Sequence, residues 1–184
     1  CRIRAPFHPK NPACLYDIVI MPKMAFGTGH HATTYLMADE IMRQNLSGLS
    51  GLDMGSGTAV LSILAILCGA VHVDAIDIDE WAYRNGAENV QGNRMEDAIS
   101  VELGDASLLA GRHYDFVLAN INRNILLADM EAYAATLSSG GILLVSGILE
   151  ADVPTIVECA EKFGLERDEV RYRSGWSVVK FIMK

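Results

Sequence analysis

The chain has 184 residues, of which 51% are hydrophobic, and it carries a formal net charge of −8. This length and apolar content suit one domain with a sizeable core. The acidic balance argues against direct contact with nucleic acid and is compatible with a basic protein substrate. No apolar run approaches the ~20 residues of a membrane-spanning helix, so no membrane contact is expected. The four cysteines include no Cys-x-x-Cys pair and indicate free thiols in a reducing cytoplasm.

The beginning of the chain predicts an arm, a strand and a loop before the first long helix. Residues 1–15 hold three of the five prolines and are expected to form a linker or an extended arm. The domain itself is therefore placed at residues 16–184. Residues 16–21 predict a short strand, and a loop with two glycines then leads into a helix predicted over residues 32–44.

Residues 49–60 predict a strand, a glycine turn and the start of a helix in direct succession. Gly55 and Gly57 allow the backbone to approach a ligand that a Cβ atom would keep away. The match to a dinucleotide turn is imperfect, because Val60 stands where that turn requires a small residue. Asp53 would repel a phosphate but could pair with an ammonium group. The turn therefore favours a cationic ligand without phosphate.

The rest of the chain alternates strands with helices and ends in two strands. Further strands are predicted at residues 71–77, 99–103, 114–120, 142–146, 169–172 and 177–182, and helices at 60–67, 79–92, 123–137 and 152–163. The β-α order predicts a doubly wound, mostly parallel α/β sheet that binds ligands at the carboxyl ends of its strands. The last two strands predict an antiparallel hairpin at the sheet's edge.

Polar residues end several of these strands. Asp77 follows Gly57 by 20 residues, close to the separation at which an acid reaches a ribose hydroxyl in a dinucleotide-type site. Asp79 is interpreted as a helix N-cap, and Asp105 as either a contact to an adenine amino group or a turn residue. The side-chain carbonyl of Asn120 could accept a hydrogen bond from an amine and aim its lone pair at a methyl donor.

Two adjacent histidines stand in the loop before the first helix. His30 and His31 lack the spacing and the carboxylate partner of a metal site, so no bound metal is expected. Their default interpretation is a solvent-exposed or loop-packing role.

The same loop carries the most specific pattern in the chain. Residues 24–34, Met-Ala-Phe-Gly-Thr-Gly-His-His-Ala-Thr-Thr, resemble the Ala-Phe-Gly-Thr-Gly-x-His-x-Thr-Thr signature of the methyltransferases that act on protein eleven of the large ribosomal subunit. Residues 75–79 and 119–121 add to this resemblance. It implies a class I, seven-stranded S-adenosylmethionine-dependent methyltransferase that N-methylates lysine side chains and an N-terminal amine of a ribosomal protein.

The resemblance also implies which residues contact the cofactor S-adenosylmethionine. Asn120 is expected beside the methyl group and to hold the acceptor amine, which makes it the expected catalytic residue. Asp77 is expected on the ribose, and Asp53 with Gly55 at the amino-acid end. The full set of expected cofactor contacts is Phe26, Gly27, Thr28, Thr34, Asp53, Gly55, Gly57, Asp77 and Asn120.

Three departures from the family pattern accompany these expectations. Ala32 replaces the residue, often Pro, before the paired threonines. Ala59 stands where the family usually has a third glycine, which is tolerable if φ is negative there. The family also carries a separate N-terminal substrate-recognition domain, which is expected to be missing here. The alternatives are a class I methyltransferase acting on another protein, RNA or a small molecule, a NAD-dependent dehydrogenase, or a non-catalytic cofactor-binding module.

Overall fold

The computed structural model describes residues 1–21 and 31–184. Within them lie a two-stranded and a seven-stranded sheet. The strands are β1 Arg2–Arg4, β2 Asp17–Val19, β3 Ser50–Met54, β4 His72–Asp77, β5 Ile99–Leu103, β6 Tyr114–Asn120, β7 Leu137–Leu149, β8 Leu165–Arg173 and β9 Trp176–Met183. The α-helices are α1 Ala32–Arg43, α2 Val60–Leu67, α3 Glu80–Gly92, α4 Arg123–Thr136 and α5 Val153–Glu161, and short 3₁₀ helices span Ala106–Leu109 and Glu150–Asp152.

The large sheet has the order β5-β4-β3-β6-β7-β9-β8. Strands β3 to β7 are mutually parallel, and β9 runs antiparallel to both β7 and β8. The predicted doubly wound, mostly parallel sheet with an antiparallel C-terminal hairpin is therefore confirmed. The strand order reverses between β3 and β6, and a crevice for a ligand forms at such a switch point.

Helices cover both faces of this sheet. On one face, α1 and α2 pack with Phe116 and Leu118 of β6. On the other face, α4 and α5 pack with Val117 and Ala119 of the same strand. These four side chains are at most 1% exposed, which explains why a central parallel strand is apolar at consecutive positions. The crevice therefore lies at the edge of a sheet whose central strand is buried on both faces.

The predicted arm is joined to the domain by a small parallel sheet. Strand β1 pairs with β2, and the Arg4 guanidinium donates two hydrogen bonds of 2.9 Å, from Nε to Oδ1 and from Nη2 to Oδ2 of Asp17. This guanidinium lowers the pKa of Asp17. Because Arg2–Arg4 is paired to the first strand of the predicted domain, the arm is anchored at its start. The division at residue 15 itself stays a prediction.

The largest difference in element length concerns β7, which was predicted as residues 142–146. The assigned strand begins at Leu137, but its pairing with β6 passes from Tyr114–Leu137 directly to Phe116–Ile142. Residues 138–141, predicted to end the preceding helix, therefore bulge out of the pairing around Gly140, whose φ is +78°. In the described part of the chain, no helix has the length and apolar character needed to cross a membrane.

Candidate active site

A cleft of about 1020 Å³ opens at the carboxyl ends of the parallel strands. We call its two sides the β3–β5 wall and the β6–β9 wall. The β3–β5 wall consists of Met54, Gly55, Gly57, Asp77, Ile78, Asp79, Trp81, Ala82, Gly104, Asp105, Ala106 and Ser107. The β6–β9 wall consists of Asn120, Ile121, Asn122, Asn124, Ile125, Ala128, Asp129, Gly147 and Trp176, together with His31 and Thr33 at the start of α1.

The glycine turn and Asp77 are bonded to each other in the β3–β5 wall. Asp77 accepts hydrogen bonds from the backbone N–H groups of Gly57, at 2.8 Å, and Asp79, at 2.9 Å. These bonds fix the carboxylate at the end of β4. Each carboxylate oxygen has a second acceptor position, so Asp77 can still accept from a ligand hydroxyl. The structure thus brings together Gly55, Gly57 and Asp77.

The sequence interpretation accepted an alanine at position 59 on the condition that its φ is negative. The structure shows that φ of Ala59 is +60°, so this condition is not met. Ala59 occupies the left-handed region that favours glycine, and its methyl group is fully buried. The helix α2 begins directly after it without a side-chain cap. The turn therefore has the backbone shape of a three-glycine turn, at the cost of local strain in Ala59.

Asp53 does not line the cleft. Its Oδ2 accepts hydrogen bonds from the hydroxyl of Ser62, at 2.6 Å, and from the Ser62 backbone N–H, at 3.1 Å. The side chain is 1% exposed, and burial raises its pKa to about 6 although the Ser62 bonds oppose the shift. Asp53 therefore ties β3 to α2, and the cofactor contact expected of it stays a prediction.

Asn120 lies at the end of β6 and lines the β6–β9 wall of the cleft. Its Oδ1 atom is buried and has no hydrogen-bond partner among the described residues. A buried acceptor without a partner loses the free energy of a hydrogen bond that water would otherwise supply. Such an atom on a residue that lines a cleft is suited to receive a donor from a ligand.

His31 and Trp176 form an aromatic pair in the β6–β9 wall, which the sequence interpretation did not predict. Their rings are 4.9 Å apart at an interplanar angle of 69°. His31 also caps α1, because its Nδ1 accepts from the backbone N–H of Thr33 at 3.3 Å. A signal for Trp176 was available, since an antiparallel return strand begins at the carboxyl edge of the parallel strands.

Of the two threonines at the start of α1, Thr33 lines the cleft and Thr34 does not. The Oγ1 of Thr34 is buried and lacks a partner among the described residues, so its cofactor contact stays a prediction. Phe26, Gly27 and Thr28, and also His30, lie outside the described residues. Within the described ranges, no group of three or more His, Cys, Asp or Glu residues is arranged to hold a metal ion.

The cleft is acidic. Its described lining includes four carboxylates and neither Lys nor Arg. Asp105 is held by the backbone N–H of Ser107, at 2.9 Å, and hydrogen bonding to Ser107 lowers its pKa. Burial raises the pKa of Asp129, with a further contribution from the charge of Asp105, although a hydrogen bond from Tyr133 opposes the shift. A cleft of this charge suits a cationic ligand better than a pyrophosphate.

Comparisons with known proteins agree with this geometry. The family model described as ribosomal protein L11 methyltransferase (PrmA) matches residues 6–184. The chain belongs to this family. It is 51% identical over 182 residues to the ribosomal protein L11 methyltransferase of Porphyromonas gingivalis, and that alignment covers 98% of the chain and 62% of the relative. The corresponding protein of Phocaeicola vulgatus is 49% identical over 185 residues, covering 100% of the chain and 66% of the relative.

A solved structure supports the same assignment. The ribosomal protein L11 methylase of Lactobacillus delbrueckii subsp. bulgaricus superposes with a TM-score of 0.91 at 26% identity, covering 99% of this chain and 94% of that one. The predicted family and the class I methyltransferase fold are confirmed. The chain spans about two thirds of the length of the two curated relatives it matches.

Proposed function

We propose that this chain is the catalytic domain of a protein N-methyltransferase that uses S-adenosylmethionine to methylate amines of ribosomal protein L11. The family assignment supports the reaction class, since both curated relatives bear the name ribosomal protein L11 methyltransferase. The net charge of −8 fits a basic substrate. The observation that carries the proposal is the buried, unpartnered Oδ1 of Asn120 in an acidic cleft.

The β3–β5 wall would hold the methyl donor. Bound S-adenosylmethionine supplies a methyl group already activated by a positively charged sulfonium. The Asp77 carboxylate would accept from the ribose hydroxyls, and Gly55 and Gly57 would let the backbone approach the amino-acid end. A cleft with four carboxylates and no lysine or arginine in its described lining favours this cation over a dinucleotide.

The β6–β9 wall would hold the acceptor amine. Asn120 Oδ1 would accept one N–H of the amine, so that the lone pair of the amine nitrogen points along the line of attack. A lysine ammonium has a pKa of about 10.4 in water, so the proton must leave before transfer. Desolvation in the cleft favours the neutral amine, and the proton passes to water without a dedicated base.

The acceptors would be lysine side chains and the N-terminal amine of L11. We place the reaction in the cytoplasm, because all four cysteines are free thiols. The third of the relatives that this chain does not match would supply substrate recognition, as an N-terminal domain. Residues 16–184 would form the S-adenosylmethionine-dependent unit, with Phe26, Gly27, Thr28 and Thr34 as further cofactor contacts.

The test is a methyl-transfer assay with purified L11 and methyl-labelled S-adenosylmethionine, followed by peptide mass spectrometry. It is run with the 184-residue chain and with a hybrid that adds the unmatched third of the Porphyromonas gingivalis relative. Labelled methyl groups on lysines or on the N-terminal amine are expected, at a higher rate for the hybrid. A hybrid that binds the cofactor but labels no L11 amine would refute the proposed substrate.

A separate titration distinguishes the main alternatives. S-adenosylmethionine and NAD are each titrated into the chain in a calorimeter. Binding of S-adenosylmethionine alone is expected, since the described lining offers no cation for a pyrophosphate. Binding of NAD instead would indicate a dehydrogenase, and cofactor binding without transfer to protein, RNA or small amines would indicate a non-catalytic module.

A further inference from the structure

Ile121, the residue after Asn120, packs between two glycines from distant parts of the chain. Gly55 faces the side chain of Ile121, because a methyl group added at Gly55 would lie 2.2 Å from the Ile121 Cγ2 atom. Gly147 faces its backbone, because a methyl group added there would lie 2.3 Å from the carbonyl oxygen and 3.0 Å from the nitrogen of Ile121. Carbon atoms in good contact stay roughly 3.5–4.0 Å apart, so a side chain at either glycine would force Ile121 to shift.

The backbone of both glycines is shaped for these contacts. Gly55 and Gly147 have φ values of +68° and +81°, a region that other residues rarely occupy. At Gly147 the pairing of β7 with β9 shifts between Val145 and Ile148, which marks a bulge in the strand. Bulges of this kind are typical near active sites, where they redirect a neighbouring group.

The contacts join the two sides of the cleft at the position of Asn120. Asn120 still pairs with Ser146 in the register of β6 and β7, and one residue later Ile121 enters the gap between the glycines. Gly55 belongs to the β3–β5 wall and Gly147 to the β6–β9 wall. We infer that Ile121, which packs between Gly55 and Gly147, is a positioning residue that sets the distance between Asn120 and the methyl donor.

This inference deepens the proposed function and rests on it for its catalytic consequence. A shift of Ile121 would move the Asn120 amide relative to the glycine turn while leaving the Asp77 carboxylate in place. A misplacement of ~1 Å at a reacting centre can lower a rate by about 100-fold. The expected signature is therefore a loss in kcat, with little change in KM or in cofactor affinity.

The first test compares two glycines of the same strand. Gly147→Ala adds a methyl group against the Ile121 backbone, whereas Gly140→Ala adds one in β7 at nearly the same φ, with no atom within 4 Å. Both positions have a positive φ, so alanine is disfavoured by the backbone in both variants. We expect kcat to fall by about 100-fold in Gly147→Ala and to be retained in Gly140→Ala. Equal kcat values in the two variants would overturn the inference.

The second test changes the shape of Ile121 and decides the matter if Gly147→Ala does not fold. Ile121→Leu keeps the volume but loses the Cγ2 branch that contacts Gly55, whereas the conservative Ile121→Val keeps that branch. We expect Ile121→Leu to lose kcat by about tenfold or more and Ile121→Val to recover most of it. Full activity in Ile121→Leu, or equal losses in the two variants, would show that the Cγ2 contact with Gly55 does not set the rate and would overturn the inference.

A spectroscopic measurement separates failure of this inference from failure of the proposed function. The side-chain amide resonances of Asn120 are recorded for each variant in the presence of S-adenosylhomocysteine. They should shift in Gly147→Ala and Ile121→Leu and stay in place in Gly140→Ala. Unshifted resonances in Gly147→Ala and Ile121→Leu would refute the positioning role, whether or not the wild-type chain transfers a methyl group. Shifted resonances together with a wild-type chain that transfers no methyl group would count against the proposed function alone.

Discussion

The two sides of the cleft differ in how they are assembled. The β3–β5 wall comes from one continuous part of the chain, in which Gly57 and Asp77 are joined by a single hydrogen bond of 2.8 Å. The β6–β9 wall combines the start of α1, the carboxyl-terminal parts of β6 and β7, the first turns of α4 and the first residue of β9. His31 and Trp176, which touch there, are far apart in sequence. One β-α-β unit can therefore supply Gly55, Gly57 and Asp77 on the first side, whereas the second side brings together segments that are distant in sequence.

This difference matches a division of labour in the proposed reaction. The β3–β5 wall offers the fixed carboxylate of Asp77 and a glycine turn whose backbone a ligand can approach closely. Both features suit the binding of a cofactor. The β6–β9 wall offers an unpartnered acceptor atom at Asn120, which is a feature for orienting an amine. Substitutions on the first side should lower affinity, and substitutions on the second should lower the rate.

The largest effect is expected from Asn120→Ala. Removing the acceptor atom that orients the amine should lower the methyl-transfer rate by about 100- to 1000-fold, while the affinity for S-adenosylhomocysteine stays close to that of the wild type. Single-turnover transfer to L11 measures the rate. Asn120→Asp is the informative partner, because its negative charge stabilises the ammonium form and should move the activity to higher pH. Wild-type rates in Asn120→Ala would remove Asn120 from the mechanism.

Asp77→Ala should have the next largest effect, on binding. Loss of hydrogen bonds to a charged acceptor costs about 1.5–3 kcal/mol, so calorimetry should show an affinity for S-adenosylmethionine weakened by roughly tenfold to 100-fold. The control is Asp79→Ala, also in the β3–β5 wall, whose carboxylate caps α3 by accepting from Ala82 N–H at 2.8 Å. That variant should lose about 1 kcal/mol of stability with little loss of affinity. Unchanged affinity in Asp77→Ala would show that another acid binds the ribose.

Asp53→Asn should change the pH dependence of stability rather than cofactor binding. Because burial raises the pKa of Asp53 to about 6 from an ordinary value of 3.8, the folded state binds a proton between these pH values that the unfolded state has released. The free energy of unfolding of the wild type should therefore fall by up to about 3 kcal/mol, relative to the variant, as the pH rises from about 4 to about 6. Denaturant titrations across this range measure the difference, and a constant difference would contradict it.

The smallest effect is expected from Ala59→Gly. Relief of the left-handed strain is worth about 1 kcal/mol, but the loss of a fully buried methyl group costs about 0.8 kcal/mol. The net change in the free energy of unfolding should therefore be close to zero. Arg94 is the matched control, because its φ is +59° and its side chain is exposed. Arg94→Gly should stabilise the chain by up to about 1 kcal/mol, and equal effects of the two substitutions would contradict this explanation.

The sequence predicted the β3–β5 wall better than the β6–β9 wall, for physical reasons. The strand–turn–helix order and the spacing from Gly57 predict that Asp77 lies beside the glycine turn. Both residues belong to the same β-α-β unit, so their contact follows from neighbouring elements of the chain. The predicted antiparallel hairpin places the start of β9 at the carboxyl edge of the sheet, but the contact of Trp176 with His31 depends on the register of β9 against β7. Such a register depends on pairing between residues that are distant in sequence, and the hydrophobic periodicity along the chain does not specify that pairing.

Asp53 and Ala59 show that residue type alone does not define a position on this side of the cleft. Asp53 has the residue type of a ligand contact, but the partner that holds it is the buried Ser62 on α2. A serine inside an otherwise apolar helix pattern was the available signal for such a bond. The positive φ of Ala59 is set by the turn as a whole, so the residue type alone pointed to the wrong backbone region.

The most direct test of the division of labour is the affinity for S-adenosylhomocysteine of Asp77→Ala and Asn120→Ala, measured by calorimetry on the same day and in the same buffer. The account predicts an affinity at least about tenfold weaker in Asp77→Ala and close to wild type in Asn120→Ala. Equal weakening in both variants, or weakening in Asn120→Ala alone, would contradict it.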